Sequence, residues 1–205
     1  NIVWIDNNEE IVLNKYLFYV YQIIKWQTDT GGVISRLYND NIRKAQIPEA
    51  EIIWQILQQA IERRRKDGSN QWQDGYPNQE VVKTDISLGK GYVLEIDNAI
   101  AAYAALVFND EPAYNEIIGD WLTNDDFLVI HRVAVSDDFL GKGIAVLLFQ
   151  KLEDFAMENQ VFSIKVDTNF DNLAMLHILE KLDYQYCGEV YFRGGARKAF
   201  EKVLI

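Results

Sequence analysis

FLVIHRVAVSDDFLGKGIA, residues 127–145, is the stretch whose reading decides the fold. Its first part, residues 127–135, is rich in β-branched and aromatic side chains and reads as a strand. From Gly143 to Asn159 the period changes. Ile144, Leu147, Leu148, Leu152 and Phe155 then fall on one face of a helix. Between strand and helix sits Leu140-Gly141-Lys142-Gly143-Ile144-Ala145. The first turn of a helix leaves backbone N–H groups without internal partners, and its dipole favours negative charge there. Glycines let that backbone approach a ligand closely, and Lys142 adds a point charge, so the turn is a candidate phosphate cradle. Alone, a Gly-x-Gly pair is equally well a tight turn. The chain carries its own control, because Leu88-Gly89-Lys90-Gly91 repeats the four residues ahead of a strand and reads as a turn only.

Working outward, residues 161–166 form another expected strand and 172–182 another helix. Residues 184–192 and 199–204 close as strands around Gly194-Gly195. Upstream, residues 42–45 are a short strand, and Pro48 opens a helix with Ile52, Ile53, Ile56, Leu57 and Ile61 as its stripe. That helix ends in Arg63-Arg64-Arg65-Lys66, read as a solvated end complementing the dipole in preference to a phosphate site. A loop over residues 69–79 holds Trp72, Tyr76 and Pro77. Strands 92–96 and 100–108 form a hairpin at Asp97-Asn98, and residues 111–122 are a loop carrying Tyr114 and Trp121. One strand–helix–strand unit inside a mostly antiparallel set predicts an α+β or mixed α/β sheet. Residues 1–40 read as a separate helical extension, with Ile11, Leu17, Tyr21 and Ile24 at near-helical spacing. It would serve as a dimerisation or lid helix, or simply pack on the main domain of residues 41–205.

The 205 residues carry a net charge of −11, which argues against a nucleic-acid or anionic-membrane surface and suits a cationic substrate. The 49% hydrophobic content is ample for a core. No apolar run reaches the length of a membrane span, and the single Cys187 fits a reducing compartment. The expectation is therefore a cytoplasmic protein.

Two other phosphate motifs compete. A Walker A pattern is absent from the sequence. A dinucleotide fingerprint has Asp167 at the end of the next strand in its favour. Against it stand Val146 at the third glycine position and the single crossover unit. With strand, turn, helix, strand and helix in place, the chain resembles the GNAT (Gcn5-related N-acetyltransferase) superfamily. That family's Arg/Gln-x-x-Gly-x-Gly/Ala signature maps onto residues 140–145, with Leu140 in place of Arg or Gln. Its second signature, an Asn past the next strand and then a helix, maps onto Asn172, Met175, Leu179 and Leu182-Asp183-Tyr184. Here Leu179 replaces the Tyr that often serves as general acid. Gln71 to Pro77, Ile130-His131-Arg132 and Tyr186-Cys187-Gly188 strengthen the likeness, which covers residues 41–205.

The resemblance implies a mostly antiparallel twisted sheet flanked by helices, in which strand 127–135 diverges from strand 161–166. Acetyl-coenzyme A would enter the cleft between them. Its pantetheine would pair with backbone around Val133, Ala134 and Val135, and its phosphates would rest on Leu140, Gly141, Lys142, Gly143, Ile144 and Ala145. Asn172 and Met175 would meet the cofactor arm. No metal is required, because a neutral amine attacks the thioester directly. Freeing a lysine-like amine at neutral pH costs about 4–5 kcal/mol, so a general base helps. His131 is the candidate: strict alternation puts it on one face with Val133 and Val135, and aralkylamine acetyltransferases carry a histidine at the matching place. A core histidine held by a hydrogen bond is the competing reading, and His177 is taken as structural. Tyr184 or Tyr186 could protonate the leaving thiolate, although that group needs little help. Trp72, Tyr76, Tyr114 and Trp121 are candidates for the acceptor side, by packing or cation–π contact, or else they anchor their loops. The function expected is an N-acetyltransferase acting on a primary amine. A non-catalytic acyl-coenzyme A sensor and a nicotinamide-dependent enzyme are the alternatives.

Overall fold

The computed structural model describes residues 40–192 and 195–204; the expected helix of residues 11–26 and Gly194 of the closing turn lie outside them. The chain forms β1 (Asp40–Lys44), α1 (Ala50–Lys66), α2 (Gln79–Ser87), β2 (Gly91–Ile96), β3 (Ala99–Phe108), β4 (Ile118–Gly119), β5 (Leu128–Val135), α3 (Ile144–Glu158), β6 (Ser163–Thr168), α4 (Leu173–Lys181), β7 (Gln185–Phe192) and β8 (Gly195–Val203). Among the described residues the strands make one eight-stranded sheet in the order β1-β2-β3-β5-β6-β8-β7-β4. Only the β5–β6 pair is parallel in the registers from β2 onward, so the fold is mixed α/β with a mostly antiparallel sheet.

The hairpin between β2 and β3 turns at Asp97 and Asn98. Both have left-handed φ (50° and 67°), the geometry that matches strand twist across a two-residue loop. One face of the sheet is covered by α1 and α2. Ile53, Ile56, Leu57 and Ala60 of α1 and Val82 and Ile86 of α2 pack on Val93, Tyr103, Ala105 and Ala134. The other face takes α3, whose Phe155 ring lies 5.0 Å from Tyr92, the strand neighbour of Val93.

Two elements differ from the sequence reading. Helix α2 was not expected; Asn78 caps it by accepting from the Val81 N–H at 3.1 Å. The Leu88-Gly89-Lys90 run therefore ends this helix as well as preceding β2. Gly89 takes φ 68°, and the Lys90 N–H returns to the Asp85 carbonyl at 2.7 Å. The two Leu-Gly-Lys-Gly runs thus stand at opposite ends of helices. One closes a carbonyl terminus, and the other opens an amide terminus.

The second difference decides the site. Tyr103 pairs with Ala134 across β3 and β5, but Ala105 pairs with His131, so β5 carries an extra residue over Arg132-Val133. Arg132 sits there at φ 53°, a left-handed residue inside a strand, which marks a β-bulge. The bulge changes the side-chain alternation. His131 shares a face with Ala134, not with Val133 and Val135 as strict alternation predicts, because the residues paired across to His131 and Ala134 both face α1 and α2.

Candidate active site

Strand β5 pairs with β6 only at Leu128–Ile164 and Val129–Lys165; beyond that the two separate. A cavity opens along the separation, lined by Ile130, His131, Arg132 and Val133 from β5 and by Val166, Asp167 and Thr168 from β6. Gln71, Trp72 and Tyr76 close it from the loop after α1, Asn172 and Met175 from the start of α4, and Arg197 from β8.

At one end of this cleft lies the amide terminus of α3. Gly143 is its N-cap at φ 74°, no side chain caps it, and the Leu147 N–H is the first to return, to the Gly143 carbonyl at 3.0 Å. Gly141 also has a left-handed φ, 72°, and a side chain built there would meet no atom within 4 Å. The turn is therefore an open arc of backbone with the conformation that only glycine takes easily. Leu140 and Lys142 are exposed, while Ile144 is buried and anchors the helix. The Lys142 ammonium folds back onto the Asp138 carbonyl at 2.8 Å and over the Phe139 ring. An uncapped helix start with two left-handed glycines can receive a phosphate-like anion, and the β5 edge beyond Val129 is left without a β6 partner.

The basic end of α1 does more than meet solvent. Arg63 donates to the Val135 carbonyl at 2.8 Å and pairs with Asp137, and Arg64 donates to the Asn172 amide oxygen at 3.0 Å. The reading of a solvated helix end holds for Arg65 and Lys66, which pair with Glu62 within their own helix, but not for these two. Their reach across the cleft could not be seen without the tertiary fold. Asn172 also caps α4 through the Met175 N–H and donates to Gln71 at 3.0 Å.

His131 is the centre of a polar cluster. Its Nε2 lies 2.8 Å from Glu111 Oε2, and its Nδ1 lies 3.7 Å from Asp167 Oδ1. The Asp167 side chain is 1% exposed and accepts from the Tyr114 hydroxyl at 2.8 Å and from Arg197 at 3.0 Å. Burial alone would raise the Glu111 carboxyl. The hydrogen bond and charge of His131, helped by the Ala113 N–H and Arg132, hold it below its ordinary range. Burial and the Asp167 charge push the Tyr114 hydroxyl well up, so it remains a donor. Arg132, thrown onto this side by the bulge, makes a two-pronged contact with buried Asp85 at 2.8 Å on each prong and donates to the Tyr76 hydroxyl. Glu111, Asp167, Arg197 and Asp85 were missed as site residues. Asp167 alone carried a signal, as an acid ending a strand.

The remaining expected residues divide. Trp72, Tyr76, Val133, Asn172 and Met175 line the cavity with His131, whereas Ala134 packs under α1. Tyr114 is buried behind His131, and Trp121 donates to the Tyr114 carbonyl at 2.9 Å with its ring 4.9 Å away, so this pair forms the wall behind the histidine. Tyr184 lies outside the cavity lining, buried edge-on against Phe149 of α3, and burial and Glu153 raise its hydroxyl. Tyr186 is 56% exposed beside Phe200, also outside the lining. Their separation follows from β7 lying two strands from β6 in the sheet order. His177 is exposed on α4, and Leu179 is fully buried. Among the described residues no group of three or more His, Cys, Asp or Glu is placed to hold a metal, and no helix is long and apolar enough to cross a membrane.

Comparison with known proteins agrees with this geometry. The family model of the Acetyltransferase (GNAT) family matches residues 53–184. A GNAT-family acetyltransferase from Streptococcus agalactiae, known from its crystal structure, is 36% identical with a TM-score of 0.76, over 81% of this chain and 96% of that one. The uncharacterized N-acetyltransferase YesJ of Bacillus subtilis is 27% identical over 142 residues, 68% of this chain and 78% of its own length. The yncA protein of Salmonella typhimurium, whose structure was solved with its cofactor acetyl-CoA, shares the fold at 17% identity and a TM-score of 0.57, over 82% of this chain and 95% of that one. A 47-residue segment is 62% identical to a protein described as a type I restriction enzyme specificity subunit from Haemophilus influenzae. The segment is 23% of this chain and spans only 12% of that relative's length. The match over residues 53–184, together with the split sheet and the uncapped helix start, places the chain in the GNAT family of acetyltransferases.

Proposed function

We propose that the protein transfers an acetyl group from acetyl-coenzyme A to a primary amine of a small molecule or peptide. The observation that carries this reading is the cleft itself. Its strands part beside an uncapped helix start, and a histidine lines it between them. Bound coenzyme A would supply the acetyl group as an activated thioester. Gly141, Gly143, Ile144 and Ala145 would hold its phosphates through backbone N–H groups. The edge of β5 at Val133 would pair with its amide arm, the Val135 carbonyl being already taken by Arg63, and Asn172 and Met175 would border that arm.

His131 takes the proton as the amine becomes a nucleophile. Trp72 and Tyr76 wall the acceptor side, and Arg132 fixes the Tyr76 hydroxyl. Tyr184 and Tyr186 take no part in this scheme, since both stand outside the cavity; the thiolate departs without a side-chain acid. The test is release of free thiol from acetyl-coenzyme A with a panel of amines. Amine-dependent turnover that falls at least tenfold in His131→Ala supports the reading. Binding of acetyl-coenzyme A with no turnover on any amine would make the protein an acyl-coenzyme A sensor instead.

A further inference from the structure

The two nitrogens of His131 have different surroundings, and the difference specifies a chemistry that the cleft alone does not. Glu111 reaches Nε2 from the loop before the 3₁₀ turn Pro112–Glu116, and both side chains are largely enclosed, at 14% and 16% exposure. A carboxylate accepts and cannot donate, so its 2.8 Å contact requires the hydrogen on Nε2. A neutral imidazole then has its lone pair on Nδ1. Facing Nδ1 at 3.7 Å is Asp167 Oδ1, another acceptor, too far for a direct hydrogen bond.

Two groups already donate to Asp167, the Tyr114 hydroxyl to Oδ1 and Arg197 of β8 to Oδ2. Arg132, next in the strand, is committed to Asp85 and the Tyr76 hydroxyl. Nδ1 and Asp167 Oδ1 are neighbouring acceptors in the cleft lining, the Asp167 side chain only 1% exposed and its Oδ1 already accepting from Tyr114. A pair of acceptors is complementary to one atom bearing at least two hydrogens. A nitrogen about 2.8 Å from each, off the line joining them, satisfies both. A primary ammonium meets this with one hydrogen to spare and a secondary ammonium with none; a tertiary one does not.

We propose that Glu111 is a positioning residue that fixes the Nε2–H tautomer of His131, so that Nδ1 and Asp167 Oδ1 together seat the primary ammonium of the acceptor. This rests on the acetyltransferase reading and deepens it. The ammonium gives one N–H to Asp167 and one to Nδ1. The proton moves to Nδ1 and the freed lone pair attacks the thioester carbonyl carbon. The C–N bond forms as the C–S bond breaks, coenzyme A would leave as its thiolate and take the nitrogen's second proton, and the imidazolium is left between two carboxylates. No other co-reactant is needed.

The test begins without any acceptor. The chain has two histidines, so nitrogen-15 NMR of the labelled protein, with His131→Ala assigning the signals, reads the tautomer of His131 directly. The expected result is Nε2–H in the unaltered protein and a mixture of tautomers in Glu111→Gln. An Nδ1–H tautomer in the unaltered protein overturns the proposal. With an amine found by thiol release, Glu111→Gln should lower kcat at least tenfold, leaving the KM for acetyl-coenzyme A in place. Glu111→Asp should recover part of the rate. If His131→Ala abolishes turnover while Glu111→Gln keeps the original kcat, the role of Glu111 is wrong and the base is right. If His131→Ala is fully active, the underlying reading fails first.

Discussion

At the scale of single residues, Arg132 shows how a local exception is held in place. Its left-handed backbone carries a strain of roughly 1–3 kcal/mol. The two-pronged ion pair with Asp85 and the contact with Tyr76 offset that strain and fix the bulge. Asp85 is 5% exposed, so Arg132→Ala leaves a buried carboxylate with the Tyr103 hydroxyl as a donor but without its counter-charge. Equilibrium urea unfolding should show a loss of about 3–5 kcal/mol, in the range of broken buried pairs.

Glu111 makes a prediction with a definite sign. Its carboxyl is held below the ordinary value in the folded chain, so it stabilises the fold above the unfolded value, about 4.3. That stabilisation is lost as pH falls from there through the folded value. Glu111→Gln should therefore show a shallower fall of stability than the unaltered chain below about pH 5, measured by denaturant midpoints across that range. Equal slopes would mean that the contact with His131 contributes nothing to the fold.

At the scale of elements, the two Leu-Gly-Lys-Gly runs separate structure from function. Gly89 and Gly143 have nearly the same backbone, φ 68° and 74°, but one follows α2 and the other precedes α3. Alanine at either position should cost on the order of 1 kcal/mol, the ordinary penalty of a left-handed non-glycine residue. Only Gly143→Ala should also weaken acetyl-coenzyme A, by tenfold or more in a direct binding titration; Gly89→Ala should leave affinity unchanged. Only half of this distinction was legible in the sequence: periodicity shows that α3 begins after Gly143, whereas Gly89 was read as a turn before a strand and its closing of α2 was not seen. The Asp97-Asn98 hairpin and the strand of His131 were legible. The bulge was not, since an inserted residue in Arg132-Val133 leaves the composition of a strand intact and alters only its partner's register. Helix α2 escaped for another reason. Its nine residues carry few apolar side chains, although Asn78 before it was a readable cap. The carboxylates around His131 come from Glu111, twenty positions upstream, and Asp167, on the next strand. Nothing in local pattern joins them.

At the scale of the whole molecule, the parting of β5 from β6 exposes the strand edge, and α3 and α4 both begin at that end of the sheet. We propose that this domain, residues 41–205, is the acetyltransferase unit and that residues 1–40 form an extension to it. The central claim is that the cleft was shaped for an acyl-coenzyme A, and calorimetric titration of the full chain tests it most directly. Acetyl-coenzyme A should bind at a single site with affinity in the micromolar range, weakened at least tenfold by Gly143→Ala, while NAD gives no heat of binding. No heat with acetyl-coenzyme A, or equal heat with NAD, would contradict the account.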